Sequence, residues 1–397
     1  VGRYLFMYLS GKASAAAALE SFLERAGSDY AARRNYDLGP GRHAGVSCLS
    51  PWVRTRLLPE WEVVRRVANT HGVERASKFI DEVCWRTYWK GWLQLRPEVW
   101  DRYLEELAQV HEASEFKELC QNVLAGRSGI ECLDAWTKEL KETGYLHNHA
   151  RMWYASIWVH TLGLPWVLGA EFFLQHLLDG DAASNTLSWR WVAGLHTAGK
   201  TYLAQAENIR NYTEGRFEVS TSLAKSARVV DAEPLPPARE LPKLESPKPG
   251  QRLGWLIQED DLSGSAEMAL PSAPVAIAGL IPRAAYKKFG IAESVTTFRR
   301  ESLKDILPEG AQCFETVAGG VAWAVAEELD GVVISEVPIG LWNESLVALE
   351  NTLRENGIAL YQLRSDWDAK LHPHARAGFF RFKKAIPEAV RSIVTPS

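Results

Sequence analysis

The chain has 397 residues, 46% of them hydrophobic and 24% charged, with a net charge of -4. That length and balance allow two or three globular domains and exclude both a disordered chain and a generally basic nucleic-acid binder. Composition is abnormal only in its 16 tryptophans, 12 of which fall between Trp52 and Trp191.

Residues 1–220 read as helical throughout. Ser14 can cap a run of strong helix formers that reaches Ala26. Trp61 to Ala68, Arg75 to Leu95, Glu131 to Glu142, His149 to Leu162 and Gly169 to Leu178 carry apolar residues at three-to-four spacing, with short Gly-, Pro- or Asn-bearing connections. Residues 221–250 read as a Pro-rich linker. Six of the 19 prolines fall in 231–250, interleaved with charge, which predicts an extended and stiff spacer. Residues 251–397 alternate strand and helix. Leu253 to Ile257, Pro274 to Ala278, Gly331 to Ser335 and Ile358 to Tyr361 are short apolar runs suited to a buried parallel sheet, and Asn343 to Asn356 is an amphipathic helix. The expected fold is mainly α: an all-helical domain followed by a smaller α/β, Rossmann-like domain. Residues 1–230 hold 27 basic and 26 acidic side chains, and the remainder 18 and 23, so the helical part is the better partner for a polyanion.

The five cysteines are scattered, with no CxxC pair, which gives no disulfide framework and argues against a metal site. A reducing, cytoplasmic compartment is expected. The stretch Met152 to Leu178 comes closest to a membrane span, but His160, Glu171, Gln175 and His176 interrupt it and Pro165 breaks it, so no membrane association is expected.

Four motifs can carry chemistry. Ser47-Cys-Leu-Ser50-Pro51 reads as a helix start whose free N–H groups suit a phosphate, although most Ser-Pro starts only cap. Glu82, Trp85 and Arg86 share one helical face, either as a Glu–Arg surface pair beside a core tryptophan or as the wall of a ligand cavity. His147-Asn148-His149-Ala-Arg151-Met152 is either a solvated helix start or a cluster of acid/base groups. Asp179-Gly-Asp181, followed by Asn185 and Trp189-Arg-Trp191, places two acids around a turn that can pair with Arg151; the tryptophan step by itself is ordinary core packing.

In this order and identity, the motifs resemble the FAD-binding helical domain of the photolyase/cryptochrome family, from about Ser14 to about Tyr202. The resemblance implies that Tyr30, Ser47, Leu49 and Ser50 hold the phosphates and ribityl chain of FAD. Phe79, Arg86, Tyr145 and Asn148 would lie against the cofactor, Arg151 would pair with Asp179, Asp181 would contact the flavin or ribose, and Asn185 would face flavin N5. Glu82, Trp85, Asn148, Met152 and Trp191 match the pocket for a flipped cyclobutane pyrimidine dimer. The implied partner is UV-damaged DNA, single- or double-stranded, bound by a monomer. The implied reaction is light-driven: excited reduced FAD lends an electron that splits the dimer. A (6-4) or dual-lesion photolyase, or a cryptochrome-like receptor without repair, is the alternative. Trp85 and Trp191 would stack on the lesion, with Arg190 and His149 as DNA contacts and Arg54, Arg56, His196 and Lys200 as further phosphate contacts. A neutral Glu82 carboxyl is expected to hydrogen-bond the dimer.

Several features depart from the family. Trp189 and Trp166 match the first two members of its electron-transfer relay, but the third does not align, leaving Trp136, Trp153 or Trp158. Val46 replaces a threonine, and His149 replaces an arginine, which leaves a broader lesion range open. Family members usually begin with an antenna domain, and the resemblance leads to the expectation of a short form without it. Leu253 to Leu262 and Ala377 to Lys384 resemble its opening strand and closing helix, displaced to the C-terminal side; any second antenna chromophore is unassigned.

Overall fold

The computed structural model describes residues 8–113, 115–196, 200–231, 233–264 and 270–394. As far as Tyr212 the regular elements are all helical. They are α1 (Lys12–Leu23), α2 (Ser28–Arg33), α3 (Ser50–Arg54), α4 (Glu60–His71), α5 (Ser77–Gln94), α6 (Glu98–Glu112), α7 (Lys117–Leu124), α8 (Glu131–Thr143), α9 (Asn148–Ser156), α10 (Trp166–His176), α11 (Ala182–Val192) and α12 (Ala206–Tyr212). Helix ends differ from expectation where local chemistry differs. Ser14 lies inside α1, which begins after Gly11 at φ 110 and has no side-chain cap. The helix expected to run to Leu162 loosens after Ser156 into a π-helical turn, Ile157–Thr161, and α10 starts directly after Pro165.

The remaining chain forms one parallel sheet with crossover helices. Its strands are β1 (Leu253–Gln258), β2 (Ala276–Leu280), β3 (Cys313–Phe314), β4 (Gly331–Ser335) and β5 (Ala359–Leu363), in the order β3-β2-β1-β4-β5. Helices α13 (Arg283–Lys288), α14 (Glu293–Ile306), α15 (Val317–Ala326) and α16 (Asn343–Glu355) accompany it, and α17 (Asp366–Leu371), α18 (Phe379–Phe382) and α19 (Ile386–Val394) close the chain. This is the Rossmann-type strand order, reversing between β1 and β4. Strand alternation divides the core. Trp255 and Ile257 face the apolar mass shared with the helical part, whereas Leu256 joins Val332 and Ile334 against α15 and α16.

The proline-rich stretch has no helix or strand among its described residues, and it is strapped onto its neighbours rather than left as a free spacer. Prolines donate no backbone hydrogen bond, but their carbonyls accept. Arg102 Nη1 donates to Pro234 O at 2.8 Å, Arg96 Nε to Pro236 O at 3.1 Å and Arg364 Nη2 to Pro242 O at 3.2 Å, while Arg239 N donates to Leu95 O at 2.8 Å. All five cysteines are free thiols. No helix among the described residues is long and apolar enough to cross a membrane.

Where ligands enter such sheets, outside the carboxyl ends of the strands at the switch point, this protein has an ion cluster. Glu259, Asp260 and Asp261 leave β1 and meet two arginines from the end of α3. Arg54 pairs with Glu259 and, at 2.7 Å, with Asp260. Arg56 reaches Asp261 at 2.9 Å, Asp368 at 2.6 Å and Glu60 at 3.0 Å. Arg54 and Arg56 are each only 4% exposed. Both were expected to touch DNA phosphates. The structure corrects this: they tie the two parts of the chain together and cannot be reached.

Candidate functional site

The helical part encloses a cavity of about 560 Å³. Helix α5 supplies Phe79, Glu82, Trp85 and Arg86, and α9 supplies Asn148, Arg151 and Met152. The turn before α11 and the helix itself supply Asp179, Asp181, Asn185, Trp189 and Trp191, while Tyr30, Ser47, Leu49, Ser50 and Tyr145 complete the lining. Every cofactor and lesion residue expected from the sequence lies on the cavity wall, whereas Trp166, His149, Arg190 and the further phosphate contacts Arg54, Arg56, His196 and Lys200 lie off it.

Each group is fixed by its local structure. Asp181 is the N-cap of α11, its Oδ1 accepting from Ser184 N at 2.7 Å. Its other oxygen pairs with Arg86. The same guanidinium donates to Asp179 O at 3.3 Å. Arg151 donates from Nε to Leu146 O at 2.9 Å and from Nη2 to Asp179 Oδ2 at 3.0 Å. Burial alone would raise the Asp179 carboxyl, but Arg151 and then Arg86 outweigh it and hold it below its ordinary range. Asn185 Nδ2 donates to Ala170 O at 2.7 Å. Ser47 Oγ accepts from Leu49 N at 3.3 Å, and Cys48 between them is held at φ 53, turning the loop against the cavity. A Cβ at Gly169 would come within 2.2 Å of the Trp189 ring, so glycine is what lets that ring lie flush on α10.

Two buried oxygens in this wall lack a well-aligned hydrogen bond: Asp179 Oδ1, although the Ser50 hydroxyl lies beside that carboxylate, and Ser184 Oγ. Buried acceptors are rarely left so in a finished core. With the Arg86–Asp181 and Arg151–Asp179 pairs beside them and a cavity of this size, these acceptors fit a polar ligand with N–H groups, as a flavin dinucleotide has.

The comparisons agree. Residues 79–216 match the FAD binding domain of DNA photolyase. The chain is 36% identical over 215 residues to a deoxyribodipyrimidine photo-lyase of Thermus thermophilus, covering 52% of this chain and 49% of that one. It is 30% identical over 190 residues to another from Synechococcus, covering 46% and 38%. Over residues 79–216 the helical part of the chain is therefore similar to the FAD binding domain of DNA photolyases. A Synechocystis cryptochrome structure aligns with TM-score 0.46 and 23% identity over 54% of this chain and 45% of its own. The chain spans about half the length, or less, of the photolyases it matches.

Other expectations for photolyase-type residues need correction. Arg190 is buried, with its guanidinium 5.7 Å from the Trp166 ring centre, and is withdrawn from any DNA face. His149, half-buried, stacks on Trp153 at 4.5 Å and hydrogen-bonds Asn35 O through Nδ1 at 2.9 Å, and burial lowers its pKa. His196 packs on Trp89 and Trp92, and burial pushes it down to about 4. Lys200 remains exposed. Glu82 is no isolated acid: it forms an ion pair with Arg34, a residue that nothing in the local pattern marks as part of the site. The anticipated Glu82–Arg86 pair does not form, since Arg86 turns to Asp181.

The aromatic rings around Trp189 and Trp166 branch. Trp158 lies 6.2 Å from Trp189, Trp136 and Trp153 form a separate stack at 5.7 Å, and from Trp166 the rings continue to Tyr103 at 5.6 Å and then Trp100 at 5.0 Å. Elsewhere, Asp37, His43 and Glu139 bring their ligand atoms within 4.8 Å of one another. Arg216, 3.5 Å from Asp37 and 3.3 Å from Glu139, pairs with both carboxylates of this core cluster.

Proposed function

We propose that this chain binds FAD in the helical cavity and uses blue light to split cyclobutane pyrimidine dimers in DNA. The observation that carries the reading is the convergence on one cavity of the cofactor set (Arg86, Arg151, Asp179, Asp181, Asn185) and the lesion set (Glu82, Trp85, Asn148, Met152, Trp191). Bound reduced FAD would supply the light-absorbing one-electron donor.

The protein's own residues position and shield. Arg151 and Arg86 hold Asp179 and Asp181 so that Asp179 Oδ1 can accept from the cofactor. Arg86 and Arg151, each held by a carboxylate, would supply hydrogen-bond donors towards the cofactor. Trp85 and Trp191 offer flat walls to the two bases; stacking of this kind contributes roughly 1–3 kcal/mol per base. A dimer stacks poorly in its duplex and is the cheaper base pair to flip out. Asn148 and Met152, 3.9 Å apart between Nδ2 and Sδ, form a polar–soft edge beside them. To donate a hydrogen bond to a dimer carbonyl, Glu82 must leave Arg34 and take up a proton, so lesion entry is tied to opening of that pair.

That ion pair also favours a second reading, a light receptor in which Glu82 never leaves Arg34 and nothing is repaired. One experiment separates the two. The purified chain, loaded with FAD and reduced, is incubated with dimer-containing single-stranded DNA in the light and in the dark. Loss of dimers only in the light supports repair, bound flavin with dimers intact supports the receptor, and failure to bind flavin contradicts both.

A further inference from the structure

Among the described residues lining the cavity, Phe380 alone comes from beyond the helical part. It is 84% exposed. A single exposed apolar side chain is ordinary; what sets Phe380 apart is that it also lines the cavity. Its mount is rigid. On either side, Phe379 and Phe382 are buried at 6% and 0% exposure. Phe379 stacks on Trp85 with ring centres 3.8 Å apart and planes at 9°, and Tyr88 OH donates to Ala377 O at 2.9 Å. Phe379 backs Trp85 without itself lining the cavity, which leaves Trp85 and Phe380 both on its wall. The surrounding charge is positive. Arg381 and Lys384 are exposed and have no ion-pair partner among the described residues, while Lys383 pairs with Asp81.

We propose that Phe380 is a nucleobase-stacking residue, and that α18, with Arg381 and Lys384, forms one edge of the DNA-binding face around the cavity mouth. The inference rests on the reading of the cavity as a lesion pocket. An aromatic face accepts any base, and the two adjacent cations complement the strand's phosphates, so the occupant that fits both features is the DNA strand flanking the flipped dimer. A residue of the α/β part would then help select the substrate of a site built by the helical part, with Phe379 positioning Trp85 from behind.

The test uses the full chain loaded with FAD. Affinity is measured by fluorescence anisotropy on a single-stranded oligonucleotide with and without a cyclobutane dimer. Phe380→Ala should weaken binding of the dimer strand about tenfold, Phe380→Trp should restore it, and both should keep bound FAD. Replacing Arg381 and Lys384 together by Gln should weaken both oligonucleotides and flatten the salt dependence. Phe380→Ala within twofold of wild type, in a chain that does bind and repair the dimer strand, overturns this inference alone. Self-association lost in Phe380→Ala with DNA affinity unchanged also overturns it, by making the patch a contact between copies. A wild-type chain that does not bind the dimer strand overturns both this inference and the reading beneath it.

Discussion

Two arginine–carboxylate clusters lie on either side of one tripeptide. The side chains of Asp179 and Asp181 face the cavity and meet Arg151 and Arg86. The carbonyl of Gly180 between them points the other way, accepting from Arg54 at 3.2 Å and Arg299 at 2.8 Å in the cluster that joins the α/β part. The chemistry is the same and the outcome differs. The Arg54–Arg56 cluster fills the switch point of the sheet with its own side chains. Both clusters leave buried atoms without a well-aligned hydrogen bond, Asp179 Oδ1 in one and Glu60 Oε1 and Arg299 Nε in the other, but the Arg86–Arg151 cluster does so beside an open volume. The lesson is that charge type does not mark a functional site. Incomplete pairing beside a cavity does.

The largest expected effect breaks the sealed cluster. Arg56→Ala strands Glu60, Asp261 and Asp368 together in a buried space, and removing one partner of such a network costs about 3–5 kcal/mol. Urea unfolding should show that loss, and a change under 1 kcal/mol would mean the cluster is not sealed in solution.

Next is Glu82→Ala, which touches the lesion set and not the cofactor set. It should lower light-driven dimer splitting at least tenfold, about 1.4 kcal/mol in barrier, with bound flavin unchanged in the absorbance spectrum. Equal loss of flavin and repair would place Glu82 in the cofactor's shell instead.

A smaller effect is set by buried histidines. Burial pushes His176 and His196 down to about 4 and His147 to about 3. All three are neutral in the folded protein near neutral pH. Because their folded pKa values are depressed, the unfolded chain binds protons first, so stability is full above about pH 6.5 and declines as pH falls towards 4. Melting temperatures at pH 7 and pH 5 should differ in that direction, and His196→Gln should reduce the difference.

Much of this was legible before any coordinates. The strands were, because continuous apolar runs bounded by turns have little else to be; β3, two residues long, carries no period to read. Helix α6 was not among the expected helices, although Val99, Trp100, Tyr103 and Leu107 have helical spacing among its acidic residues. The cavity lining was legible through motif identity, since Asp179, Asp181 and Asn185 occur within one turn and its helix. What pattern could not supply were pairings across sequence. Arg34 lies 48 residues from Glu82, and Arg56 lies 312 from Asp368. Nothing local distinguishes Arg54 and Arg56, which are sealed in an interface, from arginines poised for phosphate. Phe380 gives no sign of reaching the cavity, because its place there depends on how the C-terminal helices fold back over α5.

The most direct measurement is a titration of the chain with FAD, comparing wild type, Asp179→Asn and a conservative change in the sealed cluster, Arg54→Lys, each verified as folded. The account predicts one FAD per wild-type chain, affinity reduced about tenfold or more in Asp179→Asn through loss of a charge-assisted hydrogen bond, and little change in folded Arg54→Lys. Equal affinity in wild type and Asp179→Asn, or a loss confined to Arg54→Lys, would contradict it.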